Sequence, residues 1–322
     1  MNEIGGYFGL ELKQGENVFH TSPYKMKSGR SSLSFILTNC KTKHVYLPFY
    51  TCDALLEPFD QHNISYSFYA INKKFELDIM PVLKDGEMLV YINYYGIKDE
   101  YVEQLSDKYT DKLIVDCTQA YFTKGNGRSW YFNSTRKFFG VPDGSDLYVP
   151  NGFDWEDIYD ALPVSDNYIT DHLIARFNDE IQKGYPYFQK NETLNGGGAA
   201  KMSVLTQCLL SNIDFEKVME VRKQNFSYLD ANLKDSNQLS ISTCSSSVPF
   251  FYPYLPAHTI DKKKLWAENI FIPVLWNDCL QRANSIQFPI ERELSEELLP
   301  IPVDHRYAGL QMDRMLDKIK PN

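Results

Sequence analysis

The chain has 322 residues, of which 43% are apolar and 23% charged, and a formal net charge of −9. These proportions belong to a folded globular chain and exclude disorder, collagen and coiled coil as whole-chain readings. The acidic balance, with no lysine–arginine run, excludes nucleic acid and anionic membrane as expected partners, and no apolar run reaches the ~18 residues of a membrane span.

The opening residues lack the basic start and apolar core of a secretory signal, so a cytoplasmic location is expected. From Lys25 to about Val149, short apolar runs alternate with helical patterns. Ser28-Gly29-Arg30 leads into an amphipathic helix, Ser31–Leu37. A strand at Val45–Leu47 is closed by Pro48, and a helix follows around Asp53–Phe59. Strands are expected at Ile64–Tyr69, Leu89–Ile92 and Leu113–Val115, with a helix at Glu100–Tyr109 between the last two. Wholly apolar strands alternating with helices predict a parallel sheet covered on both faces. One more strand is expected at Leu147–Val149. Helices are then expected at Asp171–Lys183, Met202–Asn212 and Phe215–Leu233. The glycine-rich stretch Leu194–Gly198 reads as a flexible connection. Beyond Ser236, strands at Val248–Tyr252 and Phe271–Val274 and helices at Asp261–Asn269 and Tyr307–Ile319 suggest a smaller α+β unit. The expected organisation is α/β: a three-layer large domain with a mainly parallel sheet over residues 1–214, and a small C-terminal α+β domain over 215–322.

The six cysteines, Cys40, Cys52, Cys117, Cys208, Cys244 and Cys279, form no C-x-x-C pair. They read as buried free thiols of a reducing compartment, and no metal site is expected. His20, His44, His62 and His258 show no metal-ligand spacing and read as surface or core histidines. The 22 Tyr and 20 Phe suit a large core and a stacked planar ligand.

In an open α/β sheet, ligands bind beyond the carboxyl ends of the strands. Four features gather there. Ser28-Gly29-Arg30-Ser31-Ser32 opens a helix, whose first backbone N–H groups suit a phosphate. Tyr50, Cys52 and Tyr95 follow strand ends. Asp116 closes a buried strand, where a carboxylate calls for a cation. Lys137 lies among aromatics in Phe132–Gly140, where burial would favour the neutral, nucleophilic amine.

The ordered set Ser28–Ser31, Val45–Cys52, Asn93-Tyr94-Tyr95-Gly96, Asp116-Cys117-Thr118-Gln119-Ala120 and Ser134–Gly140 with Asp143-Gly144 resembles the fold-type-I pyridoxal-phosphate (PLP) enzymes. More narrowly it resembles the DegT/StrS-type sugar aminotransferases, and the tail Leu299–Tyr307 is similar to that family's closing segment. The resemblance covers most of residues 25–322. It implies PLP as cofactor, with Lys137 as the lysine that carries it and Asp116 as the partner of its ring nitrogen. Gln119 is implied near the ring hydroxyl, and Gly29, Arg30, Ser31 and Ser134 as phosphate donors. The family's stacking position falls at Cys52, with Tyr50 and Tyr95 as the aromatics that could substitute for it. The family's phosphate-reaching Asn-x-Arg-Met segment corresponds to Ala199-Ala200-Lys201-Met202. The implied activity moves an amino group from a donor such as glutamate to a nucleotide-linked keto-sugar, in a homodimer. The alternatives are another PLP reaction (elimination, decarboxylation or desulfuration) or a non-catalytic relative.

Overall fold

The computed structural model describes residues 6–12 and 17–320. Strands β1 (Tyr24–Met26), β2 (His44–Pro48), β3 (Ser65–Tyr69), β4 (Glu87–Ile92), β5 (Leu113–Cys117), β6 (Trp130–Asn133) and β7 (Ser145–Tyr148) form one sheet in the order β1-β7-β6-β5-β4-β2-β3. Strands β2 to β6 are mutually parallel, whereas β7 runs antiparallel to both of its neighbours. The expected mainly parallel α/β sheet is what forms. Every residue of β5 and β6 is buried, as a sheet covered on both faces requires. The chain leaves β2 outward to β3, then returns to β4 on the other side and continues to β5 and β6. This reversal opens a crevice beyond the carboxyl ends of β2 and β4, the place where such sheets bind ligands. Register puts Ile92, Asp116 and Phe132 side by side across β4, β5 and β6 at that edge.

Helix α1 (Gly29–Asn39) starts at Ser28, whose Oγ accepts from the Ser31 amide at 3.1 Å. This is an N-cap that satisfies one amide left open by helix geometry. The helix expected over 53–59 divides into a 3-10 turn, Asp53–Leu55, and the short α2 (Glu57–Gln61). Pro58, with no N–H to donate, is tolerated only in a first helical turn and forces the restart. Helix α3 (Asp99–Tyr109) follows β4, and α4 (Glu156–Asp160) follows β7. In place of one helix over 171–183 there are two, α5 (Asp171–Phe177) and α6 (Ile181–Leu194). The break comes at Asp179, whose φ of 58° lies in the left-handed region. Helix α7 (Val204–Leu210) is capped by Ser203, and α8 (Phe215–Leu233) has its expected bounds, capped by Asp214.

Beyond α8 a second sheet pairs β8 (Phe251–Tyr254) with β9 (Leu299–Pro302), antiparallel. The strand expected at 271–274 does not form. That segment is irregular, pinned by the buried Ile272, whose carbonyl accepts from Trp266 Nε1 at 3.3 Å. The main core runs continuously from the sheet to the last helix, residues 310–319, and a smaller cluster gathers Tyr121, Phe138, Phe139, Val141, Phe215 and Val218. All six cysteines are free thiols, but only Cys117 and Cys279 are buried; the other four are half-buried. No helix among the described residues is long and apolar enough to cross a membrane.

Candidate active site

Asp116 stands at the carboxyl end of β5, 5% exposed, and its Oδ1 accepts from the Thr118 amide at 2.7 Å. Burial pushes its carboxyl above the usual carboxylate range, against the opposing pull of the Lys137 ammonium and the Thr118 hydrogen bonds. Lys137 Nζ donates to Thr118 Oγ1 at 3.1 Å. Thr118 therefore ties the carboxylate and the amine to one corner. Cys52 belongs to the same corner. Burial pushes its thiol up, while Lys137 pulls it down and Asp116 pushes it up through space.

The lysine reaches this corner because the chain is anchored on both sides of it. β6 ends at Asn133, Ser134 opens a 3-10 turn over Thr135–Lys137, and Phe138 and Phe139 plunge into the smaller apolar cluster. Thr135 Oγ1 donates to the Asp143 carbonyl at 2.6 Å. Gly144, at φ +118°, closes the loop where any Cβ would collide with Thr135 Oγ1. The fully buried Asp143 carboxylate accepts from the Ser203 amide at 3.1 Å, from Ser203 Oγ at 2.8 Å and from Thr206 Oγ1, clamping the loop to α7. Arg136 turns away from the corner to pair with Glu192. Its burial, with Arg30 nearby, lowers its pKa to about 10. The expected burial of the lysine is not found. The aromatic surroundings bury Phe138 and Phe139, and Lys137 itself is exposed.

Gly29 explains how α1 meets this corner. A Cβ there would stand 3.1 Å from Thr118 Cγ2 and 3.3 Å from the Phe132 ring. The absence of a Cβ lets the helix start lie this close to the ends of β5 and β6 without displacing either side chain, and helix geometry leaves the first amides without intrahelical partners.

The side chains beside Gly29 are engaged elsewhere. Arg30 Nη1 donates to Glu57 at 2.6 Å and Nη2 to the Glu192 carbonyl at 2.8 Å. Ser31 Oγ accepts from the Ala200 amide at 2.8 Å. The glycine-rich stretch expected to be a flexible connection is instead seated on the start of α1. The Gly197 amide donates to Glu57 Oε1 at 3.0 Å, and a Cβ on Gly196 would come within 2.7 Å of that same oxygen. Lys201 is engaged with Asp160, donating to its carbonyl at 2.9 Å, and lies over the Tyr159 ring.

Gln119, 1% exposed, accepts the Tyr95 amide at 2.9 Å and fixes the turn Tyr94–Gly96. Tyr50 and Tyr95 are wholly buried, their hydroxyls 3.3 Å apart, and Tyr50 lies edge-on to Trp276 with ring centroids 4.4 Å apart. Both belong to the aromatic core, whereas the half-buried Cys52 lies at the corner. The structure thus brings together Gly29, Cys52, Asp116 and Lys137, places Ser134 at the opening of the turn that carries the lysine, and sets Arg30, Ser31, Tyr50, Tyr95 and Gln119 to work around them. The reading of the sequence passed over Thr118, although it lies inside Asp-x-x-Gln-Ala. Glu57 and Glu192 carry no local signal at all.

No protein-family model and no curated protein matches the sequence. Solved structures do. Spr1654 from Streptococcus pneumoniae, a candidate sugar aminotransferase in its PLP-form, superposes with a TM-score of 0.68 at 14% identity, over 93% of this chain and 86% of that one. A DegT DnrJ EryC1 StrS aminotransferase from Brucella abortus gives 0.65 at 13%, over 92% and 84%. DesV of S. venezuelae, in complex with a ketimine intermediate, gives 0.67 at 14%, over 97% and 89%. The chain has the fold of these aminotransferases.

Proposed function

We propose that the chain is a PLP-dependent aminotransferase that moves an amino group from an amino acid such as glutamate to a keto-sugar. The observation that carries this reading is the convergence of Asp116 and Lys137 on Thr118, with Gly29 holding the start of α1 against the same threonine. The donor set fits the cofactor. A buried carboxylate with its pKa raised seeks a cation, an exposed amine stands beside it, and a cradle that a Cβ would fill lies next to both. When bound, PLP supplies an electron sink for negative charge at the substrate carbon. Asp116 would hold a proton at the ring nitrogen, and Lys137 would carry the cofactor and move the substrate proton. The first amides of α1, with Ser134, would receive the phosphate, and Cys52 would lie against the ring. Gln119 acts one step back, through the Tyr95 turn. The acid and the amine belong to one chain. A homodimer, a cytoplasmic location, a nucleotide-linked acceptor and a division into domains at residue 214 complete the proposal, the last supported by the separate β8–β9 sheet. The sugar aminotransferases among the structural neighbours support a sugar as the acceptor.

Borohydride reduction of the protein loaded with PLP, followed by peptide mapping, is expected to place the pyridoxyl group on Lys137. Glutamate alone, given to unreduced enzyme, is expected to release one equivalent of 2-oxoglutarate per chain and stop. Continuous consumption of an amino acid without a keto-sugar would point to elimination or decarboxylation. Label on any other lysine would sink the assignment of the site.

A further inference from the structure

We propose that Thr118 is a positioning residue for Lys137: its hydroxyl holds the amine whenever the lysine is not bonded to the cofactor, and so favours cofactor forms that leave the lysine free. The inference rests on the role proposed above for Lys137. Its geometry is local. Lys137 Nζ donates to Thr118 Oγ1 at 3.1 Å, whereas Asp116 acts on the same amine through space. Lys137 is exposed, and a long flexible side chain in water samples many rotamers. One fixed acceptor selects a single position for its nitrogen.

Thr118 is built to be that acceptor. Its amide donates to Asp116 Oδ1 at 2.7 Å, which fixes its backbone at the end of β5. Its Cγ2 faces the start of α1, 3.1 Å from the point where a Cβ on Gly29 would stand. A β-branched side chain has few χ1 positions, so seating the methyl against Gly29 also sets the direction of the hydroxyl. That hydroxyl has one proton and two lone pairs. It donates to the Asp116 carboxylate and accepts from the amine. The neighbouring Arg136 does not compete, because it pairs with Glu192. A valine would seat the same methyl, so packing alone does not call for a hydroxyl at this position.

The amine makes this hydrogen bond only while its nitrogen is free. When that nitrogen bonds to the aldehyde carbon of PLP, the aldehyde oxygen leaves as water with two of the nitrogen's hydrogens, and the bond to Thr118 is given up. Thr118 therefore opposes capture of the aldehyde. Pyridoxamine phosphate has no aldehyde, so it leaves the lysine and its bond to Thr118 untouched. The two ligands share ring and phosphate. Whatever Thr118 does through Asp116 falls on both alike, and their relative affinity isolates its hold on the lysine.

The test measures the affinities of PLP and pyridoxamine phosphate for the full chain by absorbance and fluorescence titration, in wild type, Thr118→Val and Thr118→Ser. Valine retains the branch against Gly29 and removes the hydroxyl, whereas serine retains the hydroxyl and removes the methyl. In Thr118→Val the ratio of PLP affinity to pyridoxamine phosphate affinity should rise about fivefold, as expected for the loss of one hydrogen bond. In Thr118→Ser it should stay within about twofold of wild type. Damage to the fold would weaken both ligands together and leave the ratio unmoved. An unchanged ratio in the valine variant, or an equal rise in the serine variant, would overturn the proposal. Borohydride label on Lys137 with an unmoved ratio would defeat this inference alone. A moved ratio without release of 2-oxoglutarate from glutamate would defeat the aminotransferase reading alone.

Discussion

Two regions of the molecule bury carboxylates and treat them in opposite ways. Asp143 is saturated: three donors from Ser203 and Thr206 converge on it. Close by in the fold, Asp146 is likewise paired, with Lys25 at 2.5 Å and Asn133 at 3.2 Å. His20 completes that knot by donating from Nε2 to the Tyr121 carbonyl at 2.6 Å while its Nδ1 accepts from the Tyr148 hydroxyl. Asp116 is different. Its hydrogen bonds come from Thr118, and its cation is an exposed lysine. A saturated carboxylate holds geometry, whereas an undersupplied one at a strand end retains the capacity to bind a cation that arrives from outside.

The comparison is broken or sharpened by four measurements. Asp116→Asn has the largest expected effect: turnover should fall by about a thousandfold or more, ~4 kcal/mol of transition-state stabilisation. Stability should hold or rise. The folded chain binds a proton on Asp116 more tightly than the unfolded chain does, so the charge destabilises the fold near neutral pH and a neutral amide relieves it. Near-normal turnover, or a collapse of Tm, would erase the distinction between the two regions.

Asp143→Ala should show the reverse pattern in urea denaturation, losing about 4 kcal/mol because three buried donors are left unpaired. Asp143→Asn should lose less. A third test uses pH. Burial holds the pKa of His20 at about 4, against 6.5 for the free side chain. The unfolded state therefore takes up a proton first. Stability is unaffected above pH 6.5 and declines as pH falls from 6.5 toward 4, by about 3 kcal/mol in all. A denaturation series across that window should lose this slope in His20→Gln. The smallest effect is expected from Tyr50→Phe. It removes a 3.3 Å hydroxyl pair inside the core and should lower stability by about 1 kcal/mol or less while leaving cofactor affinity unchanged. A clear drop in that affinity would show that the Tyr50 hydroxyl, and not only its place in the core, serves the cofactor.

Much of this was legible along the chain. Apolar runs alternating with helical patterns are sufficient for a mainly parallel sheet, and Asp116, Gly29 and Lys137 were each placed by short-range features: a strand end, a helix start, a loop between aromatics. The strands that escaped were short. β6 is four buried residues, Trp130–Asn133, and a run that brief has no period to display. β1 and β9, of three and four residues, escaped for the same reason.

The site divides along the same line. The sequence by itself determined which strand ends and which helix start would bound the crevice, because these depend on residues within a few positions of one another. Only the tertiary structure decided which side chains remain available there. Arg30 is engaged by Glu57 and Glu192, Ser31 by Ala200, and Tyr50 and Tyr95 by the aromatic core, while Thr118 becomes the hub between acid and amine. Charge pairing and burial depend on segments distant in sequence that meet only once the sheet and its covering helices have closed, so no spacing along the chain encodes them.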